Sequence, residues 1–294
     1  MMVTTNRQEQ TDEATAVQDR SIGDIIRDAR NLTAEEVEQV LSYQREKGVR
    51  FGEAAIALGL VSQDEVLSAL ARQFHYPLAT AEKRNSNPEL VSLNQPFSVQ
   101  AEAFRAIRSQ ISMRTDPTRE TALALAVISP AVGDGKTYFA ANLAIAIAQL
   151  GGRTLLVDAD LRSPRQHLVF GLRNTAGLST ILSGRAESQV IQQADGVPNL
   201  FVLPGGPLPP NPSELVERPA FGLLMRELCS KFDHVVVDTP AAAHGADAAV
   251  IASRCGSALV VARKNSSKVS GLQDLVASLQ GSSVEIAGAV VNEF

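Results

Sequence analysis

With 294 residues, 45% of them hydrophobic and 20% charged, the chain has the make-up of a soluble globular protein long enough for two domains. A net charge of −5 offers no bulk attraction to nucleic acid, which is not expected as a partner. The two cysteines, Cys229 and Cys255, lack metal-ligand spacing and read as reduced, buried thiols; no run reaches the ~18 apolar residues of a membrane span, so a cytoplasmic protein is expected.

Met1 to Arg20 is rich in Gln, Thr, Glu and Asp, has no helical period and no apolar core of a signal peptide, and reads as a disordered lead-in over 1–20. From Ser21 the sequence compares with itself at an offset of 29 residues, Gly52 against Gly23 and Gln73 against Gln44, with Glu36/Glu65, Val37/Val66 and Leu41/Leu70 between. Each copy reads as two short helices. Thr33 with Glu36 and Ser62 with Glu65 have the spacing of capping boxes. A small all-α module is expected over 21–78.

Within it, Arg50-Phe51-Gly52, Gly59-Leu60-Val61, Leu70 and Gln73 resemble the tandem motif in the N-terminal domain of type II secretion and pilus ATPases. That resemblance implies either a docking module or, as in some members of that family, a cyclic di-GMP site, for which Gly23, Gln44, Arg50, Gly52 and Gln73 are the candidates. The first copy departs from the motif, with Ser21 in the arginine position and Arg30-Asn31 in place of Gly-Leu.

Proline, asparagine and serine gather over 79–96, which reads as a linker to a second domain over 97–294. Ser98 can cap a helix in which Glu102, Arg105 and Arg108 recur every third residue, with Phe104, Ile107 and Ile111 on another side. By spacing alone, the charged side is a solvated face.

The apolar run Ala122 to Ile128 predicts a strand covered on both faces, and Tyr138 to Leu150, alanine-rich and closed by Gly151-Gly152, predicts a helix. Between them, Pro130-Ala131-Val132-Gly133-Asp134-Gly135-Lys136-Thr137 reads as a phosphate-binding loop, with Pro130 in place of the usual first glycine. Backbone N–H groups around Val132 to Tyr138 would cradle phosphate. Lys136 would reach the β/γ-phosphates and the Thr137 hydroxyl would face Mg2+.

Arg153 to Arg162 reads as a strand running into Asp158 and Asp160, two carboxylates in step at the carboxyl edge of a sheet, suited to a metal and a proton acceptor; a helix cap is the plainer use of either. Phe232 to Pro240 is a second such strand, ending in Asp238, a Walker B acid. Strands over 199–203, 257–262 and 284–291 and helices over 213–230 and 271–279 complete a βαβα pattern. The fold class expected is an α/β P-loop NTPase with an open, mostly parallel sheet flanked by helices.

The loop at Pro130 to Thr137, Val157-Asp-Ala-Asp-Leu-Arg162, Val237-Asp-Thr-Pro240 and Glu102-x-x-Arg105-x-x-Arg108 together resemble the bacterial tyrosine kinase (BY-kinase) family, within it the chain length determinant kinases of the EpsG type. The resemblance spans about Gln95 to Phe294. It implies ATP and Mg2+ as cofactors, autophosphorylation on tyrosine and regulation of exopolysaccharide chain length or export. It also implies a membrane-embedded chain length determinant as partner, placing the protein at the inner membrane's cytoplasmic side, and a homo-oligomer built through Glu102, Arg105 and Arg108.

On the same ground Asp158 accepts the tyrosine proton, Asp160 and Asp238 position Mg2+ with Thr137, and Arg162 joins the nucleotide contacts. Family members usually finish in a tyrosine-rich tail; this chain finishes Gly288-Ala-Val-Val-Asn-Glu-Phe294, and its three tyrosines are Tyr43, Tyr76 and Tyr138. A non-kinase ATPase switch and a partitioning-type ATPase are the other readings the motifs allow, although partitioning ATPases usually carry an extra lysine at the position of Ala131.

Overall fold

The computed structural model describes residues 21–73, 87–114, 124–185 and 190–293. The expected lead-in, the end of the helical module with Tyr76, and linker residues 79–86 lie outside them. The chain divides into two compact units, Met1–Glu82 and Lys83–Phe294.

The described residues of the first unit form the helices α1 (Ile22–Arg30), α2 (Ala34–Lys47), α3 (Phe51–Ala57) and α4 (Gln63–Gln73). The repeat is visible in the caps. Thr33 and Ser62 each receive the N–H of the glutamate three residues on, and Glu36 and Glu65 return a carboxylate to the cap N–H at 2.8 Å. Ile25, Ile26, Val40, Ala54, Ala55, Val61 and Ala69 form its core. Arg30 pairs with Glu65 across the two copies.

The second unit begins with structure inside the expected linker. Helix α5 (Val91–Asn94) is followed by α6 (Val99–Arg114), and Leu90, Ser92, Leu93 and Pro96 are buried. Buried Asn142 draws this segment in: its Nδ2 donates to the Glu89 carbonyl (2.7 Å) and its Oδ1 accepts the Ser92 N–H (2.9 Å). Local composition suggests a loop here, but this long-range amide overrides it.

Then come β1 (Ala124–Ile128), α7 (Lys136–Ala148), β2 (Thr154–Asp158), α8 (Gln166–Phe170), α9 (Leu178–Leu182), β3 (Gln192–Gln193), β4 (Leu200–Leu203), α10 (Pro212–Glu217), α11 (Pro219–Lys231), β5 (His234–Asp238), α12 (Asp247–Cys255), β6 (Gly256–Arg263), α13 (Val269–Leu279) and β7 (Glu285–Asn292). The sheet order is β3-β4-β2-β5-β1-β6-β7; every pairing is parallel except that of the edge strand β3 with β4. All five residues of β1 and of β2 are buried, as strands covered on both faces require. The β1, β2 and β5 carboxyl ends therefore meet at one edge of the sheet. The single helix expected over 213–230 is two helices, because Pro219 holds Arg218 extended (φ −58°, ψ 143°).

Candidate functional site

The loop from β1 to α7 is shaped by its glycines. Gly133 (φ 83°) and Gly135 (φ 94°) adopt left-handed conformations, which turns the chain sharply into α7. Pro130 fits because its position asks nothing of an N–H. Its carbonyl accepts the Ala243 N–H (3.0 Å), and its ring faces Gly271, where even a Cβ would lie 3.4 Å away. The buried Asp134 turns inward and supports the loop rather than a ligand. Its Oδ2 accepts the Ala131 N–H (2.8 Å) and its Oδ1 the Ser267 hydroxyl (2.7 Å), while Asn292 Nδ2 donates to its carbonyl (3.3 Å).

Buried Lys136 donates from Nζ to Ser129 Oγ (3.0 Å). Burial lowers its proton affinity, and Asp238, Asp160 and Asp134 oppose that. The resulting cation sits where a phosphoryl group would complete its shell.

Next to the loop, Asp158 and Asp238 end adjacent strands in register, and both are completely buried. Oδ2 of Asp158 accepts the N–H groups of Arg165 and Gln166, both at 2.9 Å, so this residue does serve the helix-cap role, for α8. Oδ2 of Asp238 accepts Gln166 Nε2 at 2.9 Å. Burial, followed by the charge of Asp238, holds the Asp158 carboxyl well above the usual carboxylate range. Burial pushes Asp238 up to about 6 against the Thr137 hydroxyl, the Lys136 ammonium and the Gln166 amide. Oδ1 of each, also completely buried, has no hydrogen-bond partner of regular geometry among the described residues.

Two orphaned carboxylate oxygens beside a lysine and a threonine hydroxyl are hard, anionic donors that fit a divalent cation. No cluster of three or more His, Cys, Asp or Glu side chains that could hold a metal occurs among the described residues. Mg2+ binds through one or two carboxylates with substrate phosphates and water.

In front of this group a cavity of about 970 Å³ is walled by Val132, Gly133, Gly135, Lys136, Thr137 and Tyr138 on one side, by Asp160, Ser163 and Arg165 on another, and by Phe104, Arg263 and Asn292 elsewhere. Asp160 is not a strand residue in step with Asp158. Strand β2 ends at Asp158, and Asp160 sits in the following turn with Oδ1 accepting the N–H groups of Arg162 (3.1 Å) and Ser163 (2.9 Å). It faces the cavity, whereas Asp158 lies behind it.

Arg162, read as a nucleotide contact, is not in the cavity wall. Its guanidinium grips Asp247 (Nε to Oδ2, 2.8 Å) and Ser213 (2.9 Å), because Asp247 is itself buried and needs a counter-charge. Tyr138 stacks edge-on against Phe104 at 5.8 Å. Burial, then Glu89, raises its phenol's proton affinity.

On α6, Arg105 bonds Glu102 (2.8 Å) and the Pro96 carbonyl, and Arg108 donates to the Ala146 carbonyl (2.7 Å). Both arginines are spent largely inside the unit; Glu102 is exposed. In the first unit, Gly52 lies so close to Val66 that a Cβ would come within 2.7 Å of Cγ1, whereas a Cβ at Gly23 would meet the Phe51 ring at an ordinary 3.7 Å. Gly52 serves helix packing. Exposed Arg50 starts α3, its N–H held by Glu53 (2.9 Å); Gln44, at the end of α2, and Gln73 are half-buried.

Gln166, Asp247, Arg165, Arg263 and Asn292 belong to the site or its support, and the sequence reading missed them. A lone buried polar residue in a short helix has no periodicity. Asn292 had one signal, a polar residue closing an apolar strand at the sheet's carboxyl edge.

This geometry defines a P-loop nucleotide-binding domain with a magnesium-compatible acidic pair. Residues 125–294 match the CobQ/CobB/MinD/ParA nucleotide binding domain family. The chain is 34% identical over 216 residues to the putative tyrosine-protein kinase CapB of Staphylococcus aureus, covering 72% of this chain and 92% of that one. It is 31% identical over 210 residues to the tyrosine-protein kinase wzc of Salmonella typhimurium, matching 71% of itself but spanning 29% of that longer protein. The kinase domain of Escherichia coli tyrosine kinase ETK superposes with a TM-score of 0.66 at 33% identity, over 71% of this chain and 82% of that one. The chain belongs to the bacterial tyrosine kinase family of P-loop proteins.

Proposed function

We propose that the second unit is an ATP-dependent protein tyrosine kinase of an exopolysaccharide or capsule system. The observation that carries this reading is the cavity walled by the P-loop, Lys136, Thr137 and Asp160, with the buried Asp158–Asp238 pair behind it. The P-loop amides and Lys136 bind and orient the phosphates and neutralise charge on the transferring group. Thr137 and Asp238, with Asp160 at the cavity wall, would hold Mg2+, which when bound draws charge from the phosphoryl oxygens.

Asp158 has the raised proton affinity suited to accepting the tyrosine proton, and Asp160 has the access. We assign the acceptor role to Asp158. Tyr138 lies half-buried in the wall of its own site, which leaves Tyr43, Tyr76 or a tyrosine of a partner as targets. The partner in this reading is a membrane chain length determinant, and subunits associate through the Glu102 face of α6. No helix among the described residues is long and apolar enough to cross a membrane, so a membrane position would come through that partner.

The test is purified protein with ATP and Mg2+, with and without the partner's cytoplasmic segment, probed for phosphotyrosine and for released phosphate beside Lys136→Met, Asp158→Asn and Asp160→Asn. Phosphotyrosine lost in Lys136→Met and Asp158→Asn is expected. Phosphate release without phosphotyrosine under either condition would replace the kinase with an ATPase switch; retained phosphotyrosine in Asp158→Asn, with loss in Asp160→Asn, would move the acceptor role to Asp160.

For the first unit we infer a docking role, supported by Gly52, which is used in helix packing. Cyclic di-GMP is the competing ligand, and calorimetry of the full chain with and without Arg50→Ala separates the two: heat of binding lost on substitution would favour the nucleotide.

A further inference from the structure

One completely buried residue bonds Asp158, Asp238 and the first turn of α7 without belonging to any motif. Gln166, at the start of α8, donates from Nε2 to Asp238 Oδ2 (2.9 Å) and to the Thr137 carbonyl (3.1 Å), and its backbone N–H donates to Asp158 Oδ2 (2.9 Å). Both Nε2 hydrogens are thereby used. The reverse amide orientation would set Oε1 against a carboxylate and a carbonyl, so the hydrogen-bond pattern determines which atom is nitrogen.

A methionine or leucine would fill the same space without the cost of burying an amide. The amide therefore has work that packing does not explain. It occupies one oxygen of Asp238 and ties it to the first turn of α7, leaving Oδ1 of Asp238 as the oxygen without a partner of regular geometry among the described residues.

We propose that Gln166 is a positioning residue for the metal side of the site: its amide fixes the Asp238 carboxylate relative to Thr137 so that Oδ1 is presented to Mg2+. This rests on the magnesium-nucleotide reading above. A charge-assisted hydrogen bond of this kind fixes orientation as well as supplying energy.

Titration of the full-length chain with a fluorescent ADP, once in EDTA and once in Mg2+, separates metal coupling from nucleotide binding. Gln166→Met is expected to bind in EDTA as the wild type does, but to lose about tenfold of the tightening that Mg2+ confers, the scale of one hydrogen bond to a charged group. Gln166→Glu, which brings a third carboxylate, loses more. Equal tightening in Gln166→Met and wild type overturns the proposal, as does weakened binding in EDTA together with a lowered melting temperature, which would make the residue a packing element. A wild type that binds no nucleotide, or shows no Mg2+ dependence, overturns the underlying reading instead. Gln166→Asn, whose amide is one methylene short of Asp238, is read the same way should the methionine variant fail to fold.

Discussion

Asp158 and Asp238 stand opposite each other at the ends of neighbouring parallel strands, and neither carboxylate is exposed to solvent. Burial and mutual repulsion make it costly to ionise both there, so both carboxyls hold protons above the usual carboxylate range, Asp238 up to about 6. A site built this way is strained when both carboxylates are ionised.

That strain has a pH signature. Both folded-state proton affinities lie above the unfolded values, so the pair's stabilising contribution is complete below the ordinary aspartate range near 4 and is lost as pH rises through the folded values, about 6 for Asp238. Asp238→Asn should raise the melting temperature of the nucleotide-free second unit at pH 8 by roughly 3 °C or more, with little change at pH 4, while removing Mg2+-dependent nucleotide binding. Calorimetric scans at the two pH values check it; a lower melting temperature at pH 8 would mean that the pair is not repulsive.

Arg162 and Asp247 form an ion pair outside the cavity wall. Burial alone would raise the Asp247 proton affinity, but the Arg162 guanidinium and Ser213 hydroxyl outweigh it and hold it low. Asp247→Asn should cost about 2 kcal/mol in urea unfolding and leave nucleotide affinity in EDTA near wild type. A loss of affinity without a loss of stability would restore Arg162 to the nucleotide site.

In the helical unit the two equivalent glycines should differ. Gly52→Ala forces a methyl against Val66 Cγ1 and should destabilise by about 1 to 3 kcal/mol, with partial rescue by Val66→Ala. Gly23→Ala meets only ordinary contact with Phe51 and should be near neutral or stabilising. Far-ultraviolet circular dichroism melts of the four variants decide this.

On α6, Arg108→Ala loses its bond to the Ala146 carbonyl and should lower stability by about 1 kcal/mol. Glu102→Lys replaces the exposed partner of Arg105 and should cost less than about 1 kcal/mol, while reducing the mass of the oligomer proposed above in light scattering. An unchanged mass in both would make this helix an internal brace alone.

The P-loop, the parallel sheet and the Asp238 strand were legible because each is written locally, as an apolar run closed by glycines or an acid. What the sequence hid was written at long range. Asn142 turns an apparent linker into packed chain from 50 residues away, and Asp247 claims Arg162 from 85. The edge strand Gln192–Gln193 carries no period at all, and the break at Pro219 was legible but read through. Asp160 was placed in a strand by alternation that β2 does not continue.

The loop that opens α7 is held by Ser267 through the Asp134 carboxylate and by Asn292 through the Asp134 carbonyl. These two braces arrive more than 130 residues after the loop itself. During synthesis the glycine-rich turn emerges long before its supports. A growing chain therefore carries the phosphate-binding sequence before Ser267 and Asn292 can brace it.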